Sequence, residues 1–307
     1  MSNPLTDKQF VRLLDDRLTK VYKDRYKGLP SIKEKFFSIK KSKKAWEEYF
    51  SVGSIPDPEA FNGIIQYQGV APGYHTKITP SEYAGGITIQ RRLLDTDRYD
   101  VIEGMSKGLA TAANRKMNKI AHEVFTNFDS TAFDFVVSEE GVALCSNSHL
   151  TKAPNVSTSS GFDNYATLAF DATNLEALRI QSLGFRDDIG ERMETNFDTI
   201  IHGSNLEADV WEVLNSQGKT GDNLNNANFQ QGRWKSICLP LLDDYDTNDW
   251  FIVDSSAMKD SLIWIDSVPL EFNSTTDFDT LVRKYADYFV VGWGFTCWRW
   301  IIGSSVS

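Results

Sequence analysis

"RYDVIEGMSKGLATAANRKMNKIAHEVFTNF", residues 98–128, decides the reading of this chain. Val101, Met105, Leu109, Ala112, Ala113, Met117, Ile120, Val124 and Phe128 recur in steps of three and four. That spacing predicts one apolar stripe on a helix of about 30 residues, ~45 Å long at 1.5 Å per residue. Gly104 and Gly108 each cost about 1 kcal/mol relative to Ala in a helix interior, so packing has to hold the first turns.

Upstream, residues 6–26 also read as an amphipathic helix, through Phe10, Leu13, Leu14, Leu18, Val21 and Tyr22, ended by Gly28-Leu29-Pro30. A second helix is expected next, with Ile32, Phe36, Ile39, Trp46 and Phe50 on one side and Lys40, Lys41, Lys43 and Lys44 on the other. Residues 51–92 change character. Strands are expected at 63–70 and 74–79, joined by Ala71-Pro72-Gly73, with another at 86–90. Ile64, Ile65, Gln66, Tyr67 and Gln68 give neither face of the first strand a clean apolar set, and such a hairpin is seldom stable alone in water.

Downstream, residues 141–165 read as loop. Thr173-x-x-Glu176 and Ser204-x-x-Glu207 read as capping boxes opening short helices, with a strand at 197–203 between them. Residues 215–232 look too polar to pack and read as a surface loop. Strands are expected at Trp250–Val253, Ile263–Phe272 and Leu281–Ile302, with a short helix near Ser255–Asp260. The class is α+β, without internal repeats.

The 307 residues carry 41% hydrophobic and 24% charged side chains, ordinary for a globular protein. Their net charge of −10 is unevenly spread. Residues 1–50 hold 13 basic and 7 acidic groups, a net of +6, which leaves −16 for residues 51–307. A basic leading arm on an acidic body implies attachment of that arm to nucleic acid or to the acidic body of another copy. The body itself reads as a poor nucleic-acid binder.

Three widely spaced cysteines (145, 238, 297) form no CxxC pair and argue for a reducing compartment. "MSNPLTDKQF" has no signal-peptide core, and Phe289–Ile302 is too short for a membrane helix and contains Arg299. A cytoplasmic product is the expectation. Phosphate-loop, dinucleotide-fold, HExxH and GxSxG patterns are missing from the sequence. One cluster, "ALCSNSHL", sets Cys145 four residues before His149. A thiolate beside an imidazole is the minimum for a cysteine nucleophile, but such pairs normally meet across a fold. A metal site of Cys145, His149 and a distant carboxylate lacks a second paired motif. No catalytic, cofactor or metal residue is therefore assigned.

In order, these pieces resemble the major capsid protein of tailed bacteriophages, the Hong Kong ninety-seven fold. "GGITIQRRLLDTDRYDVI" (85–102) is similar to the segment where an extended hairpin returns into the long spine helix. "ALCSNSHLTKAP" (143–154) is similar to that family's Leu-Cys-Ser…His segment. Residues 173–216 resemble its helix, glycine turn, strand and second helix. "WFIVDSSAMKDSLIWIDSVPLEF" (250–272) and "FDTLVRKYADYFVVGWGFTCWRWIIG" (278–303) resemble the closing strands of its peripheral domain.

The resemblance implies an N-terminal arm (1–50), an extended hairpin (51–92), a peripheral domain (93–165 and 261–307) and an axial domain (166–260), with the 215–232 loop near a five- or six-fold axis. It implies that Val291, Trp293 and Phe295 pack on the spine helix, unless the tryptophans are plain core. It further implies an icosahedral shell of pentamers and hexamers in the virion, made in the host bacterial cytoplasm around double-stranded DNA held without sequence-specific binding. Separate scaffolding, portal and decoration proteins would be partners; no membrane and no cofactor would be involved. A nanocompartment shell of the same fold holding protein cargo, and an enzyme using Cys145 and His149, stand as alternatives. Lys77 is the one lysine of residues 51–92, and nothing marks a crosslinking partner for it. The arm is expected to be removable without loss of the subunit fold.

Overall fold

A computed structural model describes residues 7–58, 60–61, 63–65, 67, 69–90, 92–93, 99–132, 138–219, 226–277 and 282–306, with the backbone alone for 7–14. Helix α1 (Asp7–Lys27) leads to a single helical turn, α2 (Lys33–Phe36), and then to two strands, β1 (Ser38–Lys41) and β2 (Glu47–Val52). The second long helix expected here does not form. Residues 47–52 alternate half-buried and exposed, the period of a strand, and pair antiparallel with β3 (Pro72–Ile78). The hairpin is therefore β2–β3. The described residues between Gly53 and Ala71 are neither strand nor helix, so the strand expected at 63–70 is absent from its described residues, 63–65, 67, 69 and 70.

β4 (Ser81–Gln90) precedes the long helix α3 (Tyr99–Thr126), which matches its expected span. Its buried side includes Ile102, Leu109, Ala113, Met117, Ile120 and Val124. Val101, expected on that stripe, is exposed, and Ile102 takes the buried place one step on.

Two sheets organise the rest. The four-stranded sheet runs β1-β9-β10-β4, where β9 is Leu262–Thr276 and β10 is Val282–Phe295. β1 is parallel to β9, and β10 is antiparallel to both its neighbours. The five-stranded sheet runs β5 (Tyr165–Ala166), β11 (Ile301–Ser304), β8 (Trp250–Val253), β6 (Thr199–His202) and β7 (Lys235–Cys238). Every residue of β6, β8 and β11 is buried. Helices α4 (Ala172–Ser182), α5 (Glu207–Asn215) and α6 (Ser255–Ser261) connect these strands.

The aromatic stretch near the C-terminus is thus two strands in two sheets. Between them Trp298 and Trp300 are buried, while Trp293 on β10 is only partly so. Trp298 meets Phe185 edge-on at 5.4 Å. Arg299 fixes the corner by donating to the Arg186 carbonyl at 2.7 Å and to Asp188 at 3.0 Å. Two glycines are required by close approach. A Cβ on Gly303 would stand 2.7 Å from the Phe128 ring, and one on Gly85 2.7 Å from an Asp287 carboxylate oxygen. Asp287 is buried in β10 and accepts a hydrogen bond from the Tyr22 hydroxyl at 3.2 Å, and burial raises its carboxyl pKa.

Helix caps differ from expectation. Asp171, not Thr173, caps α4 by accepting from the Thr173 and Asn174 amides, both at 2.7 Å. The Ser204 amide donates to Asp243 at 2.9 Å, a partner from a distant 3₁₀ turn that removes the need for a local box. The N-terminal 50 residues are also not a detachable arm. Leu18 and Tyr22 are buried against α3 and β10, Phe36 and Phe37 enter the main core, and Lys33 pairs with Asp266 at 3.2 Å. Part of the basic charge of residues 1–50 is thereby matched by the chain's own acidic body.

Candidate assembly surfaces

Cys145 and His149 both lie in the core. Burial raises the Cys145 thiol pKa far above its ordinary range, which disfavours a thiolate. His149 is engaged elsewhere: Nδ1 lies 3.1 Å from Glu140 Oε1, and Nε2 lies 3.1 Å from Asn164 Oδ1 and 3.3 Å from the Leu144 carbonyl oxygen. Its ring stacks on Trp298 at 4.1 Å. Asn164 Oδ1 also accepts from the Ser146 amide at 2.7 Å, and Asn164 Nδ2 donates to the Leu144, Trp298 and Ile301 carbonyls. These contacts tie the 143–164 loop to β11, which is a structural task. Among the described residues no hydrogen bond joins Cys145 to His149, and no group of His, Cys, Asp or Glu is arranged to hold a metal.

The outward-facing features lie elsewhere. Nine of the seventeen large apolar side chains exposed among the described residues fall between Trp46 and Val70, just before β2, on it and in the loop after it. A soluble monomer rarely gathers apolar exposure in one place without a use for it. The base of this hairpin is fixed. Thr76 Oγ1 donates to the Phe295 carbonyl at 2.9 Å, and the Glu139 amide donates to the His75 carbonyl at 3.0 Å. Glu139 accepts from Lys152 at 2.5 Å and lies 2.7 Å from His75 Nδ1, contacts that pull its carboxyl pKa down to about 2. The neck closes where the Gly53 amide donates to the Ala71 carbonyl at 3.0 Å. Beyond that neck, Ile55, Phe61, Ile64, Ile65 and Tyr67 face water. Beside the base runs a groove of about 700 Å³, lined by Phe50, Leu150 and Phe295 and by Glu48, Asp187 and Asp260.

The 215–232 segment is less loop-like than its polarity implies. Asn228 Nδ2 donates to the Val213 carbonyl at 2.5 Å and to the Ser216 carbonyl at 3.0 Å; Gln230 bridges Glu176 and the Trp234 indole. Buried amides replace an apolar core at its base, while residues 220–225 lie outside the described residues. No sequence pattern marks Phe229, exposed between the Arg179 and Arg233 guanidinium groups at 5.6 and 4.6 Å, or exposed Trp211 on α5.

A two-sheet α+β subunit with a rigidly based apolar hairpin and its histidine and cysteine used for packing is a structural, shell-forming protein. The chain belongs to the phage capsid protein family, whose profile matches residues 74–302. No curated protein matches the sequence. Among solved structures, a chain from the procapsid of bacteriophage JBD30 is similar at a TM-score of 0.54 and 14% identity, over 99% of this chain and 77% of that one. A chain from the mature capsid of bacteriophage PhiM1 is similar at 0.55 and 10% identity, over 91% and 88%. A virus-like particle from Pyrococcus furiosus is similar at 0.51 and 9% identity, over 94% and 98%. These likenesses establish the fold. Membership of this family places the chain in the virion capsid; no described helix is long and apolar enough to cross a membrane.

Proposed function

We propose that the chain is the repeating unit of an icosahedral head, arranged as pentamers and hexamers around double-stranded DNA that it holds without reading sequence. The row of exposed apolar side chains on the β2–β3 hairpin carries this reading: Phe50, Phe61, Ile64 and Tyr67 need cover, and a neighbouring subunit supplies it. Repeated at every subunit, a modest burial per contact becomes a large free energy per particle. The proposed division is an N-terminal segment (1–50), a hairpin (51–92), a peripheral domain (93–165 and 261–307, less the strand β11) and an axial domain (166–260). Residues 301–304 are counted with the axial domain because β11 pairs with β8. The 215–232 segment faces a symmetry axis. Scaffolding, portal and decoration proteins are separate chains, assembly takes place in the host cytoplasm, and the subunit performs no reaction.

Electron microscopy of the purified protein tests this. Closed isometric shells are expected, and a protein that stays monomeric at all concentrations refutes it. The likeness to the Pyrococcus furiosus particle over nearly the full length of both chains favours one second reading, a nanocompartment. Nuclease-protected DNA inside particles from infected or induced cells supports the head; a single co-purifying protein inside them supports the compartment.

A further inference from the structure

Between Glu103 and Glu123, α3 carries Lys107, Arg115, Lys116 and Lys119 and no acidic residue, although residues 51–307 have a net charge of −16. At 3.6 residues per turn, Lys107, Thr111, Arg115 and Lys119 share the side of the helix opposite buried Ile102, Ala113 and Ile120. Lys107, Arg115 and Lys119 are exposed. Lys116 leaves this face and lies over the Tyr83 ring at 5.0 Å. The same outward face holds Gly104 and Gly108, where an added Cβ would meet nothing within 4 Å, so the backbone itself is open to close approach. α1 packs beside α3 through Leu18 and Tyr22, and by the same spacing its exposed Lys20, Lys23 and Lys27 point away from that contact. Among the described residues none of these six cations is in an ion pair. Asp16 and Asp24 dilute the α1 share, so the α3 triplet dominates.

We infer that the outward face of α3, extended by α1, binds the phosphate backbone of duplex DNA. The cations of the triplet stand about 12 Å and 6 Å apart along the helix, at 1.5 Å per residue. Together they span ~18 Å, about five base pairs at 3.4 Å each. Such a ladder neutralises phosphates in any sequence and carries no base readout. A protein partner fits this face less well. Interfaces need an apolar centre, and between Val101 and Lys119 the face exposes Val101 as its only large apolar side chain. This inference rests on the shell reading, in which one surface of the subunit meets packaged DNA.

The test is fluorescence anisotropy of a labelled random-sequence duplex with full-length subunits, between 50 and 200 mM salt, for the wild type and for Lys107→Gln/Arg115→Gln/Lys119→Gln. Six phosphate contacts predict a loss of wild-type affinity of about 2,000-fold over that range, and three remaining contacts predict about 40-fold. The three side chains lie in solvent, so the variant should unfold at the wild-type temperature. A wild type that fails to bind at 50 mM salt, or a variant with unchanged affinity and slope, overturns the inference. Shell formation is scored in parallel by microscopy. A variant that binds duplex like the wild type but no longer closes shells marks the face as a protein contact, and the inference falls. A wild type that binds duplex as expected but never forms shells counts against the shell reading alone.

Discussion

Replacing Phe61, Ile64 and Ile65 by serine separates assembly from folding. These side chains are 78%, 72% and 66% exposed in the isolated subunit. Withdrawing a large apolar side chain fully from water contributes about 2 kcal/mol. Scaled by those exposures, complete cover of the three on a neighbour is worth about 4 kcal/mol per loop, or about a thousandfold in each association constant. The substitutions remove nothing from the subunit's own core, and surface changes of this kind stay within about 0.5 kcal/mol. The assay pairs a concentration series, in which sedimentation reports shells against free subunits, with urea unfolding of the free subunit. The threshold concentration for shells should rise by orders of magnitude while the unfolding midpoint holds. If the midpoint falls and the threshold does not move, the loop packs on its own subunit and the reasoning is wrong.

Gly303→Ala should cost about 1–3 kcal/mol, as overpacking does in a full core, because its Cβ would lie 2.7 Å from Phe128 and 3.0 Å from Cys145 Sγ; an unchanged melting temperature would contradict the packing described. His149→Ala leaves the buried Glu140 carboxyl with the Leu150 amide but without its imidazole partner and should cost about 3 kcal/mol, against ~1 kcal/mol for Cys145→Ala. Equal denaturation midpoints for the two would show that the imidazole is mere filler. Burial pushes the Asp249 carboxyl up to about 6, with Asp246 and Asp129 adding to the shift. The native state then holds this proton more tightly than the unfolded chain, whose carboxyl titrates near ~3.9. Its contribution is most favourable below pH ~4 and is lost as pH rises through 6. Asp249→Asn should match the wild type near pH 4 and exceed it by about 1 kcal/mol above pH 6, after allowance for partial exposure. A difference in melting temperature that is the same at both pH values would refute this assignment.

Much of this was legible in the sequence where one period dominates. The steps of three and four between Leu109 and Val124 admit no strand, and α3 appears within two residues of its expected ends. Ambiguity arose where two periods fit. Trp46 and Phe50 are four apart, which suits a helix, yet Glu47–Val52 alternates its burial as a strand. Phe289–Ile302 is apolar except at Thr296 and Arg299 and shows no alternation, so no period marked the break at Thr296, where the chain leaves one sheet for another. Caps made by distant partners, such as Asp243 for Ser204, leave no local signature. The candidate surface was half visible. Ile64, Ile65 and Tyr67 showed as apolar residues without a face, but the fixed base at Thr76 and Glu139 depends on partners 219 and 64 residues away. The basic ladder on α3 has no local signature, because Lys107, Arg115 and Lys119 are spaced eight and four residues apart and are interleaved with the apolar stripe.

The order of strands in the four-stranded sheet governs when a new subunit becomes competent. β1 waits for β9, and β4 waits for β10, whose first residue follows the last residue of β4 by nearly two hundred positions. At ~5–20 residues per second of synthesis, that gap alone lasts about 10–40 s. Through this interval α1, β4 and the emerging hairpin have no sheet to lie on, and long-range pairings of this kind form slowly. The hairpin has no rigid base until Phe295 arrives to accept the Thr76 hydroxyl. Prematurely terminated fragments ending before Val282 lack the same anchor.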